Sequence, residues 1–210
     1  MVIGLGRFGG AVARTLERMG HEVLAIDTDP RLVQEFAPDV TKVVEADSTD
    51  ANALKRLGAT DFQSAVVAIG TDIEASVLTV LALADLGLGN IWAKATNERH
   101  ARILERTGAT HVVFPEQNMG KRVAHLLNER LLDFIAFGDE FAIARLAAPE
   151  PIVGLPLMTS NCRKKYDVTV VGVKREGEDF IHAVPDTLIF PGDELVVSGR
   201  IRNIEAFAGM

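Results

Sequence analysis

The sequence predicts an α/β fold: a doubly wound parallel sheet followed by a smaller α+β C-terminal subdomain. Over the first 115 residues, short β-type runs alternate with helical patterns of 10–15 residues. The β-type runs, such as Ala65-Val66-Val67-Ala68-Ile69, are apolar without two-residue alternation, as strands covered on both faces are. After Pro115 the pattern changes to one long helical stretch and then to short strands with glycine turns.

Six strands are expected at 2–5, 22–27, 42–46, 64–69, 90–95 and 111–114, with helices beginning near Gly9, Pro30, Ala51, Ile73 and Glu98. Asp29-Pro30 supplies a helix cap followed by a proline at the first helical position. Thr71-Asp72-Ile73-Glu74 reads as a capping box with Thr71 at the cap and Glu74 reaching back. Gly20, Gly58, Gly87 and Gly108 each follow a helical run and fit stop positions. A long helix is expected over 118–137, where Val123, Leu126, Leu127, Leu131, Phe134 and Ile135 share a face. Beyond it the prolines at 149, 151 and 156 precede strands at 168–174, 179–183 and 194–198 and a short closing helix at 203–207. The expected domains are 1–138 and 139–210.

Composition narrows the function. The chain has 210 residues, 22 Lys plus Arg and 29 Asp plus Glu, a formal charge of −7. That balance lacks the basic face that nucleic acid requires, so no nucleic-acid partner is expected. The single cysteine, Cys162, excludes an intrachain disulfide framework and a cysteine-based zinc site, and an intracellular protein is expected. The weakly charged stretch 75–93 is interrupted by Asp85, Gly87 and Gly89, and reads as a buried helix and a turn rather than a membrane span.

Gly4-Leu5-Gly6-Arg7-Phe8-Gly9 matches G-x-G-x-x-G, the phosphate loop of Rossmann-like folds. Gly4 permits the tight turn, Gly6 lets the backbone approach a phosphate, and Gly9 lets the helix pack on the strand. The helix N-terminus offers unpaired N–H groups and a partial positive charge. Asp27, at the end of the second strand, is placed to bond ribose hydroxyls, with Thr28 beside it. Asp47 after the third strand is a candidate for the adenosine end, or a helix cap together with Ser48 and Asp50. Gly70 and Thr71 line the crevice, with capping as the other role of Thr71. Lys94 is a lone cation in the fifth strand, as compatible with a structural pair as with a ligand. Arg7 inside the loop adds a guanidinium suited to terminal phosphates of ADP or ATP; the alternative is a solvated surface arginine.

The segments VIGLGRFG, EVLAIDTDP, EADSTD, VVAIG, NIWAKA and FPEQNMG, followed by PDTLIFPGDELVVSG, resemble the RCK family (regulator of conductance of potassium, with TrkA-N and TrkA-C domains). The likeness covers nearly the whole chain and points to the cytosolic gating subunits of Ktr/Trk-type bacterial potassium uptake systems. In relatives several residues usually precede the first strand, which here begins at Val2.

The resemblance implies ATP or ADP in the crevice, with NAD or NADH as the runner-up. It places Arg7 on the γ-phosphate, Asp27 on the ribose, Asp47 by the adenosine, and Glu116 beside a Mg²⁺ or similar cation at the phosphates, at the dimer interface. A carboxylate next to a triphosphate calls for a cation between them. The resemblance further implies a homodimer joined by a crossover helix, a homo-octameric ring under an integral-membrane potassium channel subunit, and cyclic di-AMP in the C-terminal domain near the basic stretch 163–166. The chain would then lie in the cytoplasm at the inner face of the membrane, with no catalytic residues. The competing readings are an NAD-sensing regulator of a potassium transporter or cation antiporter and, from the loop and Asp27 alone, an NAD-dependent dehydrogenase. For the last, the C-terminal 70 or so residues offer no catalytic pair, and His182 is the only histidine there.

Overall fold

A computed structural model describes residues 1–127, 130–138 and 140–210. It divides into two compact units, Met1–Glu116 and Gln117–Met210.

The first unit is built from β1 (Val2–Ile3), α1 (Arg7–Arg18), β2 (Leu24–Asp27), α2 (Pro30–Phe36), β3 (Lys42–Glu45), α3 (Ala51–Arg56), β4 (Ala65–Val67), α4 (Ile73–Asp85), β5 (Ile91–Lys94), α5 (Glu98–Thr107) and β6 (His111–Val113). All six strands pair in parallel, in the order β3-β2-β1-β4-β5-β6. The order reverses direction between β1 and β4, which opens a crevice at the carboxyl ends of the strands. The apolar runs sit where parallel strands put them: Ile3, Ile26, Val67, Ile91 and Ala93 are buried in one core with Leu54, Val80 and Leu83 from the helices. Gly9, Gly10 and Ala13 are the buried positions of α1, so a helix face of small residues lies close against β1.

The helix starts are side-chain caps. Asp29 accepts from the Arg31 N–H and Asp50 from the Asn52 N–H. The capping box expected at Thr71 is corrected by one residue: Asp72 is the cap of α4, accepting from the Ala75 N–H at 2.9 Å. A carboxylate outcompetes a hydroxyl for that role because the helix dipole favours the anion. The expected stop at Gly108 has φ of 118°, a conformation in which glycine carries no Cβ penalty.

The second unit starts within α6 (Pro115–Leu126) and continues through β7 (Leu131–Phe137), β8 (Phe141–Ala147), α7 (Leu157–Ser160), α8 (Cys162–Tyr166), β9 (Val168–Lys174), β10 (Ile181–His182), β11 (Glu194–Arg200) and α9 (Ile201–Ala208). Its sheet is antiparallel in the order β10-β9-β11-β8-β7. Leu146, Val173, Leu195, Val197, Ile204 and Phe207 form its core. This matches the smaller α+β subdomain expected. Cys162 is free and buried.

The long helix expected over 118–137 is overturned: its second half is β7. The register of β7 against β8 shifts between Leu131 and Asp133. That irregularity places Leu131 and Phe134, three residues apart, on the same buried side. Three-residue spacing is the helical signature, so the bulge gave a strand a helix-like pattern. Asn128 and Glu129, within the expected helix, and Asp139, at the expected domain boundary, lie outside the described residues.

An ion pair on a buried carboxylate organises the turn before β11. Asp193 is fully buried and accepts from Arg175 Nε at 2.8 Å and Nη2 at 3.0 Å, and from the Phe190 N–H at 2.8 Å. The Arg175 guanidinium also lies over the Phe190 ring, 4.3 Å from its centroid. Burial alone pushes the Asp193 carboxyl up; the Arg175 hydrogen bonds, the Phe190 N–H and the Arg175 charge outweigh it and hold the carboxyl below the usual carboxylate range. A carboxyl depressed in the folded state adds stability above its unfolded value, and that stability is lost as pH falls through the folded value. Asp193→Asn therefore lowers stability at neutral pH, and the gap to the wild type closes in strong acid. Urea unfolding read at Tyr166, which packs on Phe207 with ring centroids 5.3 Å apart, checks this. A gap that stays constant with pH would contradict the assignment.

No helix among the described residues is long and apolar enough to cross a membrane.

Candidate functional site

The crevice at the strand ends has a volume of about 970 Å³ and is lined entirely by residues of the first unit. Every expected site residue except Gly9 lies on its wall: Gly4, Gly6, Arg7, Phe8, Asp27, Thr28, Asp47, Ser48, Gly70, Thr71, Lys94 and Glu116. Gly9 sits just behind, in the first turn of α1.

The three glycines of the loop have different physical reasons. Gly4 has φ of 89°, and a Cβ there would lie 3.2 Å from the Ala68 carbonyl carbon. A Cβ on Gly9 would lie 1.9 Å from the Gly4 carbonyl oxygen and 2.8 Å from Ala68 Cβ. Those two are demanded by the fold. Gly6, the residue capping α1, is not: its φ of −60° suits any residue, and a Cβ would meet no atom within 4 Å. The space before Gly6 opens into the crevice, at the end of a helix whose first N–H groups have no intrahelical acceptor.

Asp27 ties the loop to the sheet. Its Oδ2 accepts from the Leu5 N–H at 2.6 Å and its Oδ1 from the Asp29 N–H at 2.9 Å. Each oxygen keeps a second lone pair for a hydroxyl donor. Asp47 accepts the N–H and hydroxyl of Thr49 at 2.9 and 2.7 Å, both on Oδ1; these bonds hold its carboxyl below the usual range and leave Oδ2 for another donor. The cap of α3 is Asp50, so Asp47 does not fill that role. Ser48 is buried and its hydroxyl is paired with Thr79 at 2.8 Å, so it is not available to a ligand in this arrangement.

Lys94 and Glu116 form an ion pair, with Nζ 2.6 Å from Oε1. The Lys94 hydrogen bond, the N–H of Glu116 itself and the charges of Lys94 and Arg7 hold the Glu116 carboxyl below its ordinary value. The structure thus brings Arg7, Lys94 and Glu116 together. Sequence reasoning missed Asp72, Thr96 and the apolar wall of Leu32, Ile69 and Leu78. Thr96 had a signal, since it follows β5 as Thr71 follows β4.

Glu116, the carboxylate expected to hold a divalent cation, has Oε1 paired with Lys94 and is largely exposed. No group of three or more His, Cys, Asp or Glu able to hold a metal occurs among the described residues; a cation at nucleotide phosphates takes one or two carboxylates with phosphate oxygens and waters, and the free Oε2 of Glu116 fits that donor set.

The TrkA-N domain model matches residues 1–115 and the TrkA-C domain model residues 141–209. Ktr system potassium uptake protein A of Bacillus subtilis (strain 168) is 40% identical over 207 residues, covering 98% of this chain and 93% of that one. Protein C of the Ktr system in the same organism is 38% identical over 207 residues, covering 98% and 94%. Among solved structures, the GsuK RCK domain superposes with a TM-score of 0.68 at 21% identity, covering 100% of this chain and 47% of that one, a likeness of fold. The AMP-bound Shewanella denitrificans Kef CTD is 29% identical with a TM-score of 0.50, covering 60% of this chain and 79% of that one. With both domain models matched in order and relatives this similar along nearly their whole length, the chain belongs to the RCK family, a TrkA-N domain followed by a TrkA-C domain.

Proposed function

We propose that this chain is a nucleotide-sensing, non-enzymatic regulatory subunit of a membrane potassium-uptake system, working at the cytoplasmic face through an integral-membrane partner. The observation that carries the nucleotide is the unfilled space before Gly6 at the N-terminus of α1. The potassium-uptake assignment is carried by the similarity to the two Ktr proteins.

In this reading the phosphates of ATP or ADP lie at the Gly6 end, and the nucleoside lies toward Asp27 and Asp47. Thr28, Gly70 and Thr71 complete the wall. The AMP carried by the Kef CTD supports an adenine-containing ligand. Arg7 is exposed at the start of α1, where its two parallel donors match a terminal phosphate. Discrimination between ATP and ADP follows if that phosphate is the one ADP lacks. A ligand shifts a conformational equilibrium only by its differential affinity for the states, so this contact is what a gating change draws on.

The assembly we place on this function is a homodimer with α6 as crossover helix, building a homo-octameric ring. The domain assignment that goes with it follows the two compact units, Met1–Glu116 as the nucleotide domain and Gln117–Met210 as the regulatory one, because a boundary at 138/139 would cut β7 from its partner β8. In the second unit a groove of about 450 Å³ lined by Met158, Asn161, Arg163, Lys164, Thr169 and Val184 offers two cations beside apolar walls. It is the place where cyclic di-AMP fits this reading.

Calorimetric titration with ATP, ADP and NADH tests the ligand. ATP and ADP should bind, and NADH should compete poorly; preferential NADH binding would replace the proposal with the NAD-sensing alternative. Arg7→Ala should narrow the ATP-to-ADP affinity ratio by about tenfold, the scale of one hydrogen bond to a charged group. An unchanged ratio would remove Arg7 from the terminal phosphate. Co-purification with a membrane potassium-transport subunit tests the partner.

A further inference from the structure

We propose that His100 is a positioning residue of the crevice: from behind the wall its neutral ring holds Thr96 in the conformation that nucleotide binding uses, and protonating the ring releases Thr96 and weakens binding. This rests on the nucleotide reading above.

Thr96 lies just beyond β5 and lines the crevice. Asn97 follows it and caps α5, its Oδ1 accepting from the His100 N–H at 2.9 Å. His100 therefore falls in the first turn of α5, and its side chain reaches back across the cap. The Thr96 N–H donates to its Nδ1 at 3.3 Å, and Thr96 Oγ1 lies 3.3 Å from the same atom. Asn97 Nδ2 donates to that Oγ1, also at 3.3 Å. A backbone N–H can only donate, so Nδ1 is an acceptor and the ring is neutral, with its hydrogen on Nε2.

The far end of the ring argues that the histidine serves through Nδ1 rather than by filling space. His100 is 1% exposed, and its Nε2 is buried with no hydrogen-bond partner among the described residues. An apolar side chain of similar size would carry no such cost.

Protonation reverses what Nδ1 does. An imidazolium donates from both nitrogens, so Nδ1 would meet the Thr96 N–H donor to donor. The ring would then take Thr96 Oγ1 as its acceptor, turning Thr96 on the wall and leaving its N–H without a partner. The site resists that charge. Burial holds the ring below the ordinary imidazole value, and the first turn of α5 is the positive end of the helix dipole. Charged neighbours play no part in the shift. α5 packs against α4 and β6. The inward side chains of α4 carry no titratable group. On β6 His111 is exposed and stacked on Trp92, and on β5 Lys94 is paired with Glu116. Glu98, Arg99 and Arg102 of α5 itself are exposed. Since the neutral ring is the binding form, affinity is full above the ring's depressed value and falls as pH drops through it.

The test is calorimetric titration of the full chain with ADP and Mg²⁺ from neutral pH down to about pH 5, a range that brackets the ordinary histidine value. Trp92 fluorescence checks at each pH that the first unit stays folded. The ligand's own phosphate takes up a proton near pH ~6, so the wild type is compared with variants at the same pH. His100→Asn puts Oδ1 close to the place of Nδ1 and cannot be protonated. It should bind within about threefold of the wild type at neutral pH, and by about pH 5 the wild type should have lost about threefold more affinity than the variant. His100→Leu fills the space without an acceptor and should bind about tenfold more weakly at neutral pH, the scale of one hydrogen bond. A folded His100→Leu that binds as the wild type would overturn the proposal while leaving the nucleotide reading intact. So would His100→Asn following the wild-type pH profile, a comparison that decides alone if His100→Leu does not fold. No ADP binding by the wild type at neutral pH would overturn both.

Discussion

Gly9→Ala is expected to destabilise the first unit by about 3 kcal/mol, the upper end of what overpacking costs. Helix propensity predicts the opposite sign, because alanine in a helix is favoured over glycine by roughly 0.5–1 kcal/mol. The geometry decides against propensity. The new Cβ would lie 1.9 Å from the Gly4 carbonyl oxygen, a backbone atom that cannot turn aside, and 2.8 Å from Ala68 Cβ beyond the end of β4. Relief requires α1 to move off β1 and β4 together, which loosens the cluster of Val2, Leu5, Ala13 and Phe36. At Gly10 the obstacle is a side chain, the Phe36 ring with Cζ at 2.4 Å, so alanine there should cost less than at Gly9. Trp92, the sole tryptophan, lies in β5 stacked on His111 with ring centroids 4.1 Å apart and reports unfolding of this unit. Urea denaturation followed by its fluorescence measures the loss. A Gly9→Ala stability within about 0.5 kcal/mol of wild type, the range of neutral surface changes, would show that the loop can relax and that Gly9 is not needed by the fold.

The parallel sheet was legible because its strands are doubly covered and their apolar runs carry no competing pattern. Each predicted strand of the first unit is present, trimmed by one to three residues at its ends, where pairing stops before the apolar run does. The hairpin of β7 and β8 was hidden for two separate reasons. The register shift in β7 put Leu131 and Phe134 at helical spacing. The inward residues of β8 are Ala142, Ala144 and Leu146, so two of three buried positions carry alanine, which has little β-propensity and a small apolar signal. The short helices α7 and α8 have 4 and 5 residues, too few to show a periodicity.

The crevice was legible in composition and less so in roles. Strand ends at one edge of a parallel sheet converge whatever their side chains, so naming residues just after each strand found the wall. What those residues do depends on partners far apart in sequence. Ser48 turns inward because Thr79, 31 residues on, offers it a hydrogen bond in the core. Lys94 read as a lone cation because its partner lies 22 residues away on another element. Gly70 read as part of the ligand wall, and in the structure the end of the Lys94 side chain also passes it, with Nζ 3.1 Å from where a Cβ would lie. Sequence spacing carries contacts within one helix turn or one loop; it does not carry these.

Gly6→Ser is expected to weaken ADP binding by about 100-fold, roughly 2.7 kcal/mol, while leaving the fold as stable or slightly more so. The stability half follows from position. Gly6 is the cap residue of α1 and makes no side-chain cap hydrogen bond, and serine is preferred over glycine at caps by a few tenths of a kcal/mol. Its φ of −60° and the absence of any atom within 4 Å of the new Cβ remove steric objections from within the protein. The binding half follows from the same empty space. A phosphate held by the first N–H groups of α1 must approach the backbone closely, and a side chain on Gly6 stands in that approach. Holding the anion farther out weakens several charge-assisted hydrogen bonds at once, each worth about 1.5–3 kcal/mol. The pairing of an intact fold with lost affinity separates a residue kept for a ligand from one kept for packing, which is the distinction between Gly6 and Gly9. Thermal unfolding together with an ADP titration reads both halves. Undiminished ADP affinity in Gly6→Ser would move the nucleotide away from this loop and take the proposed function with it; reduced stability would mean that Gly6 answers to the fold after all.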